Sequence, residues 1–221
     1  KDSRQKLWVA TENGLNLYVP ESNAFKRYLY FGSEISKKNI IYSISEDTQG
    51  RIWVACTKGL YIYNDEKDVF DPISTLGLDI EKRLGRIPAR VYCARNGDIW
   101  LGGAIGLFLI QQYNGRYNLT SFPDNPAAPN SLSNKFVKYI KEDPAGNLWI
   151  GTLDGLNRYE RKTGSFTKYY NNPANANSLV NNNIRCFLWD GNGNMWIGTQ
   201  EGLSCFNADK DTWKSYRNKT G

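Results

Sequence analysis

The apolar and polar positions of this 221-residue chain do not repeat in helical steps; they fall into short blocks rich in β-branched and aromatic residues, each closed by a turn signal. One pair of blocks is written five times. Trp149-Ile150-Gly151-Thr152-Leu153-Asp154-Gly155-Leu156-Asn157-Arg158-Tyr159 recurs with variation from Trp8, Trp53, Trp100 and Trp196, always with Gly-Leu six and seven residues after the Trp. The tryptophans are 45, 47, 49 and 47 residues apart. A fixed period of this length marks a repeat architecture.

The copy at Trp149 predicts four strands. The run Phe136–Glu142 is the first, with counterparts at Ile40–Ile44, Arg90–Cys93 and Ile184–Leu188. The tight turn Asp143-Pro144-Ala145-Gly146 follows, repeated at Asp47–Gly50 and Asp190–Gly193; Asp can accept hydrogen bonds from its own turn and Gly supplies a positive φ. In the third copy Ala94 replaces the Asp, which predicts a weaker turn. Asn147–Gly151 is the second strand and Gly155–Tyr159 the third. Seven residues after Tyr159, Phe166 begins the fourth; Tyr18 and Phe25, Tyr63 and Phe70, and Phe206 and Trp213 keep that spacing.

Four short strands per unit and no helical pattern between units predict an all-β chain, a β-propeller fragment of about five four-stranded antiparallel blades. The whole chain, 1–221, reads as a single partial β-propeller with blades near 1–30, 39–75, 86–123, 134–170 and 181–217. Lys1 falls within a turn, so the first blade is expected to lack its inner strand, leaving 19 strands. The expected shape is an open arc whose first and last sheets expose edges or meet another copy. Trp8, Trp53, Trp100, Trp149 and Trp196 are then structural wedges between neighbouring sheets, and Asp47, Asp143 and Asp190 structural turn residues.

Composition narrows the chemistry. The net charge of +6 comes from bases scattered among acids, with no run longer than two such as Lys37-Lys38, so no nucleic-acid partner is expected. No segment approaches the roughly 18 apolar residues of a membrane span. The cysteines at 56, 93, 186 and 205 share neither a CxxC motif nor a repeat position, and read as free, buried thiols. The chain has no histidine, which excludes imidazole general bases, Ser-His-Asp and Cys-His nucleophiles and His-containing zinc sites. No catalytic residue, metal ligand or cofactor is expected.

The WIGTxxGLxxY strand pair, the preceding Asp143-Pro144-Ala145-Gly146-Asn147-Leu148-Trp149 turn, and the near-identical linkers Asn125–Asn134 and Asn172–Asn181 together resemble the two-component regulator propeller repeats of hybrid two-component sensors from gut anaerobes. Blade three departs from that pattern at Gly102-Gly103-Ala104 and in the linker Leu76–Pro88. The resemblance implies two seven-bladed periplasmic propellers, a further β domain, a membrane helix and cytoplasmic kinase and regulator parts, with glycan sensing and signalling through a dimer. By that resemblance the chain is a non-catalytic periplasmic sensor segment whose membrane link lies in other parts of the parent protein. Its partners would be an oligosaccharide and a second copy. A propeller-type glycosidase or lyase, or a protein-binding scaffold, remains the alternative.

Residues that recur at one register are explained first by the fold, so Asp47, Asp143 and Asp190 are poor catalytic carboxylates: a working pair needs unlike environments. Ligand contacts are sought where the repeats disagree. Arg86, Arg90 and Arg95 surround the inner strand of blade three, Trp189 takes a position read as Glu46, Arg95 and Glu142 elsewhere, and Asp154 and Glu201 are loop acids. An aromatic beside arginines suits a sulfated or uronic sugar. The plainer reading is a solvated rim with Trp189 packed on the next blade.

Overall fold

The computed structural model describes residues 1–30, 32, 38–78, 88–208 and 210–217. Among these, 19 strands form five antiparallel sheets, each a meander in chain order. Sheet one has three strands, β1 (Trp8–Thr11), β2 (Gly14–Val19) and β3 (Ala24–Tyr28). Sheet two is β4 (Ile41–Glu46), β5 (Ile52–Cys56), β6 (Gly59–Asn64) and β7 (Val69–Pro72). Sheet three is β8 (Arg90–Cys93), β9 (Ile99–Gly102), β10 (Leu107–Tyr113) and β11 (Arg116–Phe122). Sheet four is β12 (Val137–Glu142), β13 (Leu148–Thr152), β14 (Leu156–Glu160) and β15 (Ser165–Tyr169). Sheet five is β16 (Ile184–Trp189), β17 (Asn194–Thr199), β18 (Gly202–Asn207) and β19 (Thr212–Arg217). The expected all-β propeller architecture, including a first sheet one strand short, is what forms.

Two compact units divide the residues: 1–101 with 108–120, and 102–107 with 121–221. In the first unit, sheet two covers the indole of Trp8 with Ile41, Ile52, Val54 and Tyr63, and sheet three covers Trp53 with Val91, Ile99, Leu101 and Ile110. In the second unit, Trp149 is buried against Ile184, Phe187, Met195, Ile197 and Phe206 of sheet five. Trp8, Trp53 and Trp149 are thus wedges between their own sheet and the next. Trp196 differs: it is half-buried and stacks on Tyr216 of its own sheet, with ring centroids 5.9 Å apart.

The small residue two positions after the Trp follows from the same packing. A Cβ on Gly151 would lie 2.6 Å from Ile184 Cγ2, so the sheets approach too closely there for a larger residue. The partner strand accommodates this approach with a register shift between Ile184 and Cys186, and similar shifts occur at Ile41/Ser43 and Val137/Tyr139. The bulge turns Cys186 out to solvent, correcting its expected burial; Cys56 and Cys205 are buried and Cys93 is half-buried. All four thiols are free, and burial pushes the Cys93 thiol up to about 12.

Candidate functional site

The recurring turn carboxylate does more than close its turn. Asp143 Oδ1 accepts the Asn147 amide at 2.8 Å, while Oδ2 accepts Asn147 Nδ2 at 3.1 Å and the Trp149 indole N–H at 3.0 Å. Asp47 and Asp190 hold the indoles of Trp53 and Trp196 in the same way, at 2.8 and 3.0 Å. Hydrogen bonds from the Asn194 side chain, then from the Trp196 indole, hold the Asp190 carboxyl well below the usual carboxylate range. The link fixes the ring that fills the wedge to the turn six residues earlier.

Asp2 completes the series. It accepts the Arg4 and Lys6 amides and the Trp8 indole at 3.0, 2.8 and 3.0 Å. Sequence reasoning missed it, although its spacing of six before the Trp was a sufficient signal. In its turn Gln5 takes φ 63° where Gly50 stands in sheet two. At Ala94 the backbone bonds of the turn persist, with Ala94 N–H to Asp98 O at 2.8 Å and Gly97 N–H to Ala94 O at 3.0 Å. Asp98 and Asn96 supply the side-chain bonding there instead.

The loop after the second strand is likewise structural. Thr152 Oγ1 donates to Gly155 O at 2.8 Å and accepts the Asp154 amide at 3.2 Å; Thr199 does the same for Gly202 and Glu201. This explains the Thr of the motif and why Gly103 leaves blade three without that brace.

Within the first unit a polar cleft of about 430 Å³ opens among Asp47, Arg51, Asn96, Asp98, Gln111, Gln112 and Tyr117. Arg51 spans it, donating Nε–H to Asp47 Oδ2 at 2.8 Å and Nη1–H to the Tyr117 hydroxyl at 3.3 Å. Gln111 Nε2 donates to Asp98 Oδ1 at 2.8 Å. Arg51 and Tyr117 have no counterpart of their type in sheets four and five, where Asn147 and Phe166, and Asn194 and Trp213, hold their places; Gln111 stands at the register of Glu160 and Asn207, and Asn207 Nδ2 likewise donates across its strand pair, to Asn194 Oδ1 at 2.7 Å. The Arg51–Tyr117 bridge across the cleft is therefore specific to one position of the repeat.

The six residues singled out from sequence do not converge. Arg86 lies outside the described residues. Arg90 opens β8, donating to Ala89 O at 2.8 Å and Tyr42 O at 3.3 Å, whereas Arg95 lies beyond the other end of that strand in an exposed turn. The residue of blade three that matches Trp189 is Cys93, since Ala94 aligns with Asp190; the assignment of Arg95 to that register is corrected. Trp189 meets the Trp149 ring edge-on at 5.9 Å, so it packs on the preceding sheet and not the next. Asp154 accepts from Asn182 Nδ2 at 2.9 Å, and Glu201 is exposed. Both lie at the opposite end of their sheets from Trp189. Among the described residues no cluster of three or more metal-ligating side chains is found, and no helix is long and apolar enough to cross a membrane.

A family profile for the two component regulator propeller matches residues 36–58, 131–154 and 178–201. Three of the five repeats, those of Trp53, Trp149 and Trp196, thus fit the two-component regulator propeller profile. No match is found among curated proteins. Among solved structures it is similar to the extracellular domain of BT3049 from B. thetaiotaomicron, assigned as a hybrid two component system: 22% identity, 98% of this chain and 27% of that one, TM-score 0.69. PorZ of Porphyromonas gingivalis, a surface component of the type-IX secretion system, matches at 14% identity over 98% of this chain and 33% of its own, TM-score 0.70. A catalytically inactive virginiamycin B lyase from Staphylococcus aureus, with quinupristin, matches at 13% identity over 99% of this chain and 68% of its own, TM-score 0.66. These likenesses establish the propeller fold. The chain spans about a quarter to a third of the length of the first two.

Proposed function

We propose that the chain is a non-catalytic, extracytoplasmic segment of a two-component sensor, periplasmic in location, which binds an oligosaccharide and passes the signal on through a dimer. The observation that carries this reading is the set of two-component regulator propeller repeats at 36–58, 131–154 and 178–201. Two features support it. Each recurring carboxylate, Asp2, Asp47, Asp143 and Asp190, is already bonded to its own turn and to a tryptophan indole, so the fold itself accounts for it. The polar cleft of the first unit, with Arg51, Asn96, Asp98, Gln111, Gln112 and Tyr117, offers the mixed donors and acceptors that sugar hydroxyls require.

Calorimetric titration with a panel of neutral, sulfated and uronic oligosaccharides, with product analysis of the same mixtures, tests the reading. Saturable binding without turnover, weakened by Gln111→Ala, is expected. Release of shortened or unsaturated products would move the chain to the carbohydrate-active enzymes, and no binding across the panel would remove the sugar from the proposal.

A further inference from the structure

The two near-identical linkers fold alike but are filled differently. In the first, Ala127 N–H donates to Asn125 Oδ1 at 3.1 Å and Ala128 N–H to Asn125 O at 3.0 Å; in the second, Ala174 N–H donates to Asn172 Oδ1 at 3.0 Å and Asn175 N–H to Asn172 O at 2.9 Å. Ser131 and Ser178 tie back to the same carbonyls in each, those of Asn125 and Ala128 and those of Asn172 and Asn175. Both linkers are pinned to the third strand of the sheet beside them. Ser133 N–H donates to Asn157 Oδ1 at 2.8 Å, and Val180 N–H to Ser204 Oγ at 2.9 Å.

In the first linker the backbone oxygens are turned onto a charge from within the chain. Lys168 Nζ donates to Pro126 O at 2.9 Å and to Ala128 O at 2.6 Å, with Ser131 Oγ at 3.4 Å. Three N–H donors meet three acceptors, which satisfies an ammonium group fully. Strand register identifies what stands there in the second linker: Lys168 faces Asn157 as Ser215 faces Ser204. Ser215 is too short to reach the oxygens of Pro173 and Asn175, and donates instead to Ser178 O at 2.6 Å. Where the lysine would run, a cleft of about 500 Å³ is lined by Pro173, Asn175, Ser178, Ser215, Tyr216 and Arg217, the last donating its Nη2–H to Val180 O at 3.3 Å.

We propose that this cleft binds a primary ammonium group presented by a ligand, held by Pro173 O, Asn175 O and Ser178 Oγ. No carboxylate lines it, and a small set of carbonyl oxygens at N–H···O distance suits an alkylammonium, not a calcium ion, which needs six to eight oxygens. Tyr216 gives the alkyl part of the ligand an apolar wall. The site lies wholly within the second unit and does not depend on a sugar occupying the cleft of the first.

The test is a titration of the full ¹⁵N-labelled chain with n-propylammonium, read from amide chemical shifts. Shifts are expected at Ala174, Asn175, Asn177 and Ser178, saturating in the millimolar range, and Ser215→Lys should weaken the response at least about tenfold by supplying the charge internally. Should that variant fail to fold, Lys168→Ser provides the second measurement, since it should create a new response at Ala127, Ala128 and Ser131. Tetramethylammonium, which has no N–H, should leave the second linker unmoved. Absence of shifts in the unmodified chain, equal shifts with tetramethylammonium or potassium, or an undiminished response in a folded Ser215→Lys chain would each overturn the assignment.

Discussion

The packing of sheets one and two and the packing of sheets four and five use the same tryptophan register but lock it differently. In the first unit Trp8 lies 5.3 Å from the ring of Tyr63 and 5.7 Å from Phe70, and the hydroxyls of Tyr28 and Tyr63 both donate to Asp68, at 2.6 and 2.8 Å. Lys26 pairs with the same carboxylate. In the second unit Phe206 and Trp213 take the places of Tyr63 and Phe70, 4.7 Å apart, and Trp149 stacks on Tyr169 at 5.5 Å. Asp211 occupies the turn position of Asp68, at φ 49° against 53°, but the phenol of its own sheet, Tyr63 in the first unit, has become Phe206, while the facing sheet keeps its phenol as Tyr169. A shared wedge therefore tolerates either a carboxylate gathering two phenols or an all-aromatic stack. The wedge sets the fold, and the residues around it determine how the junction responds to its surroundings.

The largest effect should come from the wedge itself. Trp149→Ala removes an indole that is 1% exposed and should reduce unfolding free energy by about 3–5 kcal/mol, read from urea midpoints by circular dichroism. Trp196→Ala, at the half-buried copy, should cause a markedly smaller loss; equal losses would mean that the covering sheet contributes nothing. Next comes the close approach at Gly151. Gly151→Ala places a methyl group against Ile184 and should destabilise by about 1–3 kcal/mol, whereas Ala55→Gly in sheet two, where Ala already fits, should change stability far less.

The smallest effect separates the polar lock from the aromatic one. Burial, then the bond to Asp68, raises Tyr28 to about 12, and the same causes raise Tyr63. Their folded values lie above the unfolded value near 10, so the native state keeps these protons longer. Stability is therefore full below pH 10 and falls as pH rises toward 12. Melting temperatures between pH 9.5 and 12 should fall less steeply in Tyr28→Phe/Tyr63→Phe; an unchanged slope would assign the alkaline sensitivity to other groups. Tyr169, raised by burial, remains as the contribution of the second junction.

Most of the fold was legible in the chain because its signals are local. Strand periodicity, the Asp-to-Gly turns and the Trp spacing each act over fewer than a dozen residues, and repetition made them additive. The site was much less legible. Trp189 looked like a lone aromatic available for ring stacking, yet the Trp149 indole already faces it. Arg95 stands two positions beyond the register of Trp189, because Ala94 takes the place of Asp190 and Cys93 precedes it. The cleft at Arg51 and Gln111 went unseen, since its walls come from sheets two and three and no spacing in the sequence brings Arg51 to Tyr117.

By itself, then, the sequence determined the period, the meander, the shortened first sheet and the registers at which Trp, Gly and Asp must recur. These depend on backbone geometry and on turns that a few neighbouring residues specify. Tertiary structure alone decided the rest: that the Gly151 backbone sits against Ile184, that Asp68 gathers two phenols from different sheets, and that two equal linkers differ by one lysine. Each is a contact between residues more than thirty positions apart in the chain or in different sheets, where packing density, not local pattern, selects the partner.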